Sequence, residues 1–234
     1  MSARSKIKEK LIYYFKKYHI WYALLVAALY YGKLLMYKAS NRINPDYHII
    51  DMKIDDLIPF CKYFMFFYFT YYWFTQLQMY LVSYGDKRKF YRMIIAAAIS
   101  CVIANICFLI YQVKMIRPEI TGNDPFDLWV KWIYKRDPKA LNCLPSIHAV
   151  MGVCMIIGGY KTKKMPKWLN ITGIVFGIGC ILSTVFVKQH YFIDMVAGTI
   201  LMFVVYYAVL LVDKKLQEKQ KSKQEITQEK LEVH

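Results

Sequence analysis

Apolar residues in this chain are gathered into blocks of roughly twenty, and that clustering constrains the fold more than any motif does. In a helix rising 1.5 Å per residue, about twenty residues cross about 30 Å of hydrocarbon, and a soluble domain has no use for several such blocks. Six blocks occur, over 19–37, 57–82, 93–113, 147–160, 168–187 and 192–212. The fourth is short, so its N-terminal end is expected inside the protein rather than against lipid. The period-two alternation of a membrane β-barrel is absent. The expected fold is all-α, an integral membrane bundle of six transmembrane helices. Its parts are a basic N-terminus over 1–18, a membrane domain over 19–212 and a charged tail over 213–234.

Although 57% of the residues are hydrophobic, the formal net charge is +16, and the placement of that charge sets the orientation. Residues 1–18 hold six Lys or Arg, 83–92 hold four, 161–167 hold four and the tail from 213 holds six. The loops on the other side hold three in 38–56, six in 114–144, and Lys188. Both termini are therefore expected in the cytoplasm, with the other loops extracytoplasmic, a charge pattern that suits a bacterial plasma membrane. The first block, "IWYALLVAALYYGKLLMY", is longer than a signal-peptide core and no A-x-A site follows it, so a retained span is expected. The cytoplasmic lysines anchor loops to anionic membrane phospholipids at about 1 kcal/mol per residue. Nucleic acid is not an expected partner, because it would want a basic patch on a soluble fold with stacking aromatics. The Tyr, Trp and Phe read instead as interface belts and span packing.

The six cysteines form no C-x-x-C pair, and most fall in spans, where Cys is a small hydrophobe. A bridge between Cys61 and Cys143 stays open. No Cys/His cluster or carboxylate cage suggests a metal, and no cofactor is expected. Gly173 and Gly177 form a G-x-x-x-G pair that reads as close helix packing. "DPFDLWVKWIY" (124–134) has Asp124 as an N-cap, Pro125 at N1 and apolar residues at helical spacing, so it is expected to lie along the membrane surface, gating lipid entry or covering a site.

Polar and titratable groups at the ends of spans are costly to place there, which makes three stretches informative: "KMIRPEI" (114–120), "LPSIHAV" (144–150) and "STVFVKQHYFID" (183–194). The orientation puts all three at the extracytoplasmic face, where they can converge. His190 and Asp194, four apart, would share a helical face, the carboxylate accepting one ring N–H and leaving the other nitrogen nucleophilic. An interfacial histidine with a helix-capping aspartate is the plainer alternative. Pro145 suits a first helical turn, whose N–H groups with the Ser146 hydroxyl form an anion site facing His148. An ordinary helix start with a hydrogen-bonded histidine is the other reading. Arg117 carries a fork suited to phosphate oxygens, or simply snorkels. Lys114 and Lys188 add charge nearby. Five separate plain explanations on one face are less economical than one shared site.

These residues resemble a known family. "RP", then "PSIH", then "S-x6-H-x3-D" are similar to the three-part signature of the type 2 phosphatidic acid phosphatase superfamily, whose members are lipid phosphatases and lipid phosphotransferases. The likeness runs over 114–194. "IDDLIPFCKYF" (54–64) is similar to a segment of the branch containing inositol-phosphorylceramide and sphingomyelin synthase-like proteins. The resemblance implies His190 as the nucleophile on phosphorus, Asp194 as its orienting carboxylate and His148 as the acid, then base. It implies Arg117 and Ser146 as phosphate ligands, with Ser183 helping. Two family cations are missing: Ile110 stands at the usual lysine and Thr184 at the usual arginine. Lys114 and Lys188 lie in the same two loops and are the expected substitutes.

The expectation is a membrane enzyme that hydrolyses a phosphate ester or pyrophosphate of a lipid at the extracytoplasmic leaflet. It would work through a phosphohistidine and without a metal. Phosphoryl transfer asks for neutralised equatorial oxygens, an in-line nucleophile and a proton for the leaving oxygen, and these residues supply all three. Two rivals stand beside it: a headgroup phosphotransferase with a lipid hydroxyl as acceptor, and a lipid transporter without catalysis. The lipid and the oligomeric state are left open.

Overall fold

The computed structural model describes residues 20–42 and 46–232; the basic stretch 1–18 lies outside them. The elements in chain order are α1 (Ile20–Ser40), β1 (Tyr47–His48), α2 (Lys53–Leu57), a 3-10 turn (Lys62–Phe64), α3 (Met65–Gly85) and α4 (Lys87–Ile110). There follow β2 (Gln112–Val113), α5 (Pro125–Arg136), α6 (Ile147–Gly159), α7 (Lys167–Phe186) and α8 (Phe192–Glu232). The two short strands pair in parallel, Tyr47 with Gln112 and His48 with Val113, and tie the loop after α1 to the end of α4.

Among the described residues, four helices are long and apolar enough to cross a membrane: α1, α4, α7 and the stretch Phe192–Gln228 of α8. The other two expected spans differ for separate reasons. α3 has 21 residues and no charge, but its tyrosines, glutamines and threonines make it less hydropathic than the four. α6 is apolar but has only 13 residues, about 20 Å of helix. Every α6 residue except His148 and Ile156 is buried, so this short helix is the centre of the bundle, and its N-terminal end sits inside the protein as expected.

α6 packs along α7, and α8 lies against α4 and α6. Glycines set the α6–α7 distance: a Cβ on Gly177 would stand 2.6 Å from the Gly152 carbonyl oxygen, and one on Gly173 would overlap the Gln78 side chain. The G-x-x-x-G pair is a packing surface. α1 is largely exposed, burying only Val26, Lys33 and Ser40.

The second apolar block does not start as one helix. Pro59, which has no N–H to donate, follows α2, and a 3-10 turn comes before α3. At the other end α8 runs 41 residues without a break, because the charged tail is Lys, Gln and Glu with no Gly or Pro, all good helix formers. Asp213 ties α8 to the start of α4 through Arg88 at 3.0 Å and Arg92 at 2.5 Å. α5 starts as its sequence predicts, with Asp124 accepting from the Phe126 and Asp127 amides and Pro125 in the first turn. Lys62 holds that start, bonding Asp124 and, at 2.9 Å, Asp127, and α5 exposes Leu128, Trp129 and Trp132. Cys61 and Cys143 are free thiols, so the open bridge is not formed.

Candidate active site

The turn between α7 and α8 carries His190. α7 ends at Phe186, Lys188 takes a left-handed φ of 50°, and the amides of Gln189 and His190 both donate to the Thr184 carbonyl at 3.0 Å. The chain thereby reverses within four residues and enters α8 at Phe192. His190 lies two residues before that helix, so the expected shared helical face with Asp194 does not exist. Asp194 caps instead: its Oδ2 accepts the Tyr191 amide at 2.9 Å and stands 3.6 Å from His190 Nδ1. The closer partner of Nδ1 is the Cys143 carbonyl oxygen at 3.0 Å. With Nδ1 donating to a carbonyl, the proton sits on Nδ1 and the Nε2 lone pair is open. The ring contact expected of Asp194 is thus made by a backbone carbonyl, with the carboxylate farther off at 3.6 Å.

The carbonyl is held by a buried loop. Asn142, at φ 59°, donates to the Tyr37 carbonyl and to Ser40 Oγ at the end of α1, and accepts from Gln112 at 2.8 Å. Pro145, expected in the first turn of α6, lies one residue before the cap, after a cis Leu144–Pro145 bond. Ser146 is the cap, its Oγ accepting the Ala149 amide at 3.3 Å and its own amide donating to the Asp194 carbonyl at 3.0 Å. α6 and α8 therefore begin side by side. Gly198 permits this, since a Cβ there would stand 2.3 Å from the Ser146 carbonyl oxygen.

His148, second residue of α6, places Nδ1 3.4 Å from His190 Nε2. Tyr68 stacks on its ring at 4.5 Å and Tyr71 lies at 4.7 Å. His148 Nε2 is a buried nitrogen with no hydrogen-bond partner. Two imidazoles from separate elements thus face each other in an aromatic frame. That arrangement suits nucleophilic attack by one ring and proton transfer by the other.

Arg117 reaches the same region. Its Nη1 donates to the Asp137 carbonyl at 2.5 Å, its Nη2 to Asp137 Oδ2 at 3.2 Å and to Gln189 Oε1 at 2.6 Å, and its guanidinium lies over Tyr134 at 4.7 Å. Gln189 precedes His190, so the arginine is clamped beside the histidine turn, with Nε buried and unpartnered.

The remaining predicted residues sit differently. Ser183 Oγ donates to the Cys180 carbonyl within α7 at 2.7 Å. Lys188 donates to the carbonyls of Asp55 and Ile58 at 2.8 and 2.6 Å. Lys114 lies over the Tyr47 ring at 4.5 Å. Both ammonium groups are thus engaged away from the two imidazoles. Four contributors carried no signal that was read in the sequence: Asp137, Gln189, the Cys143 carbonyl and the tyrosine frame on α3. Asp55 accepts the Phe192 amide at 2.7 Å and lies in the quoted "IDDLIP" segment, which signalled a branch but not this contact.

One cluster modifies the expectation that no metal-like group exists. Ligand atoms of Cys143, His190 and Asp194 lie within 4.8 Å of one another. Burial first, then nearby Asp194 and Asp137, push the Cys143 thiol well above its usual range, and its Sγ donates to the Ala140 carbonyl at 3.3 Å. The cluster reads as a hydrogen-bonded support for His190.

A family model described as the PAP2 superfamily matches residues 101–218, a stretch that contains Arg117, Ser146, His148, Ser183, His190 and Asp194. No curated protein and no solved structure matches the chain.

Proposed function

The chain belongs to the PAP2 superfamily, and on that premise we propose that it is a membrane lipid phosphatase acting through a phosphohistidine at the extracytoplasmic leaflet. The observation that carries this reading is the 3.4 Å approach of His190 Nε2 to His148 Nδ1. His190 Nε2 attacks phosphorus, the bond to the lipid oxygen breaks, and His148 gives that oxygen a proton. Water, deprotonated by His148, then attacks the phosphohistidine, phosphate leaves, and His190 recovers its lone pair. Cys143 O and Asp194 hold the imidazole and stabilise the charge it gains. Arg117 and the Ser146 helix start receive phosphate oxygens. No metal takes part.

The membrane domain spans 19–212 in this proposal, with α3 and α6 completing six passes around the site. The flanking basic N-terminus and charged tail are cytoplasmic, and the membrane is a bacterial plasma membrane.

A headgroup phosphotransferase is the second reading, and a specific observation favours it. The "IDDLIP" segment packs on the histidine turn, through Lys188 to two of its carbonyls and Asp55 to the Phe192 amide. A wall there would exclude water and admit a lipid hydroxyl. The deciding experiment incubates purified protein with phosphatidate, undecaprenyl pyrophosphate and diacylglycerol-containing phospholipid mixtures and measures phosphate and lipid products together. Free phosphate supports the phosphatase, a new phosphodiester the phosphotransferase. Neither product from any substrate overturns both.

A further inference from the structure

Lys33 lies in the C-terminal half of the first membrane helix, seven residues before its end, and its side chain is buried. α1 buries only three residues, and Lys33 is one of them at 8% exposure. A cation kept within a span at this cost usually serves function. Its Nζ donates to Tyr71 Oη at 2.9 Å and stands 5.0 and 5.1 Å from the ring centres of Tyr30 and Tyr71. Among the described residues no carboxylate pairs with it. Aromatic faces and one phenol compensate the ammonium only partly.

Tyr71 connects this cation to the candidate active site. Its ring lies 4.7 Å from the His148 ring, so one phenol separates the ammonium from the imidazole. Lys33 also stands at one end of a shallow open groove between α1 and α3. Beyond Lys33 the groove is lined by Leu29, Val26, Met79 and Met151, with Thr75 and Gln76 of α3 also on its wall. A groove with an unpaired cation at one end and an apolar trough at the other matches an amphiphile with an anionic head.

The charge deficit points the same way. The nearby Lys114 and Lys188 are engaged with Tyr47 and with two backbone carbonyls. Arg117 is already held by Asp137 and Gln189.

We propose that Lys33 and the α1–α3 groove form the lipid subsite of this protein, the ammonium receiving an anionic phosphate oxygen of the lipid while its chain lies along Leu29, Val26 and Met79. The subsite rests on the lipid-phosphate reading above and deepens it. Lys33 acts as a positioning residue: it binds the lipid and takes no part in proton transfer or attack.

The test measures binding apart from turnover. A non-hydrolysable phosphonic acid analogue of a two-chain lipid phosphate, anionic at neutral pH, and neutral diacylglycerol are titrated into detergent-solubilised wild type, Lys33→Gln, Lys33→Arg and Tyr71→Phe. Steady-state kinetics on a lipid phosphate follow for wild type and the two Lys33 variants. Lys33→Gln is expected to weaken the phosphonate lipid about tenfold and raise KM by a similar factor with kcat nearly unchanged. Diacylglycerol affinity stays constant, and Lys33→Arg recovers most of the loss. Tyr71→Phe, which keeps the charge and releases its phenol bond, should retain phosphonate binding. This variant decides the matter if Lys33→Gln is not folded.

Unchanged phosphonate affinity in folded Lys33→Gln overturns the subsite. Equal loss of charged and neutral lipid does so too, as does loss of phosphonate binding in Tyr71→Phe, because each makes Lys33 a helix clamp. If wild type turns over no lipid phosphate but binds the phosphonate in a Lys33-dependent way, the reaction fails and the subsite stands.

Discussion

His190 Nε2 and His148 Nδ1 lie 3.4 Å apart although 42 residues separate them in the chain. The contact depends on two helix starts laid side by side, α6 capped by Ser146 and α8 by Asp194, joined by the Ser146 amide donating to the Asp194 carbonyl. One ring is fixed through Nδ1 by a backbone carbonyl, and the other is framed by tyrosines. The two therefore enter the chemistry unequally.

His190 should be indispensable. In the proposed mechanism His190→Ala removes the nucleophile, so phosphate release should fall by at least about 10³-fold. Wild type given a labelled lipid phosphate and quenched in alkaline detergent should carry base-stable, acid-labile phosphate that the variant lacks. A folded His190→Ala protein with full turnover would refute the assignment.

His148 should matter in proportion to how badly the leaving oxygen needs a proton. With a lipid alkoxide, His148→Gln should slow the reaction by about 10²- to 10⁴-fold, the usual contribution of positioned proton transfer. With an aryl phosphate, whose phenolate leaves unaided, formation of the phosphohistidine should slow much less. Single-turnover rates on the two substrates give the comparison; equal losses would mean that His148 acts on something other than the leaving group.

Gly198 and Gly32 should respond oppositely to alanine. Alanine in a helix is ordinarily favoured over glycine by up to about 1 kcal/mol, and around Gly32 nothing lies within 4 Å of an added Cβ. Gly32→Ala should leave or raise the unfolding temperature. At Gly198 the new Cβ would meet the Ser146 carbonyl at 2.3 Å, forcing α8 from the α6 start and the two imidazoles apart. Gly198→Ala should lower both the unfolding temperature and kcat, measured on the same preparations.

What the sequence disclosed and what it hid follow from the range of each interaction. Ser146, His148 and His190 stood out because polar groups at span ends are rare against apolar blocks, and the charge rule put their loops on one side. The partner of His190 could not be read, since every residue has a carbonyl and only the folded loop aims that of Cys143. The i, i+4 spacing to Asp194 misled because it assumes helix through residue 190, whereas the left-handed Lys188 delays the helix to Phe192. Hydropathy ended the last block at 212, yet helix propensity carries α8 to Glu232. Lys33 was plain as a letter and silent as a direction. α1 has no strong apolar stripe, so nothing in its pattern shows which face meets α3.

Metal dependence can be decided from Cys143. Burial, with Asp194 and Asp137 adding to it, raises this thiol, so it stays protonated at neutral pH and loses its proton only as pH climbs well past the ordinary thiol range. Its Sγ donates to the Ala140 carbonyl at 3.3 Å and His190 Nδ1 already faces a carbonyl at 3.0 Å, so the three clustered groups are expected not to assemble a resident metal site. EDTA dialysis should leave turnover intact at pH 7, and Cys143→Ser should keep most of it because the backbone carbonyl that meets His190 is unchanged. Loss of activity on chelation, restored by one divalent cation and abolished by Cys143→Ser, would make the cluster a metal site and His190 a ligand rather than a nucleophile.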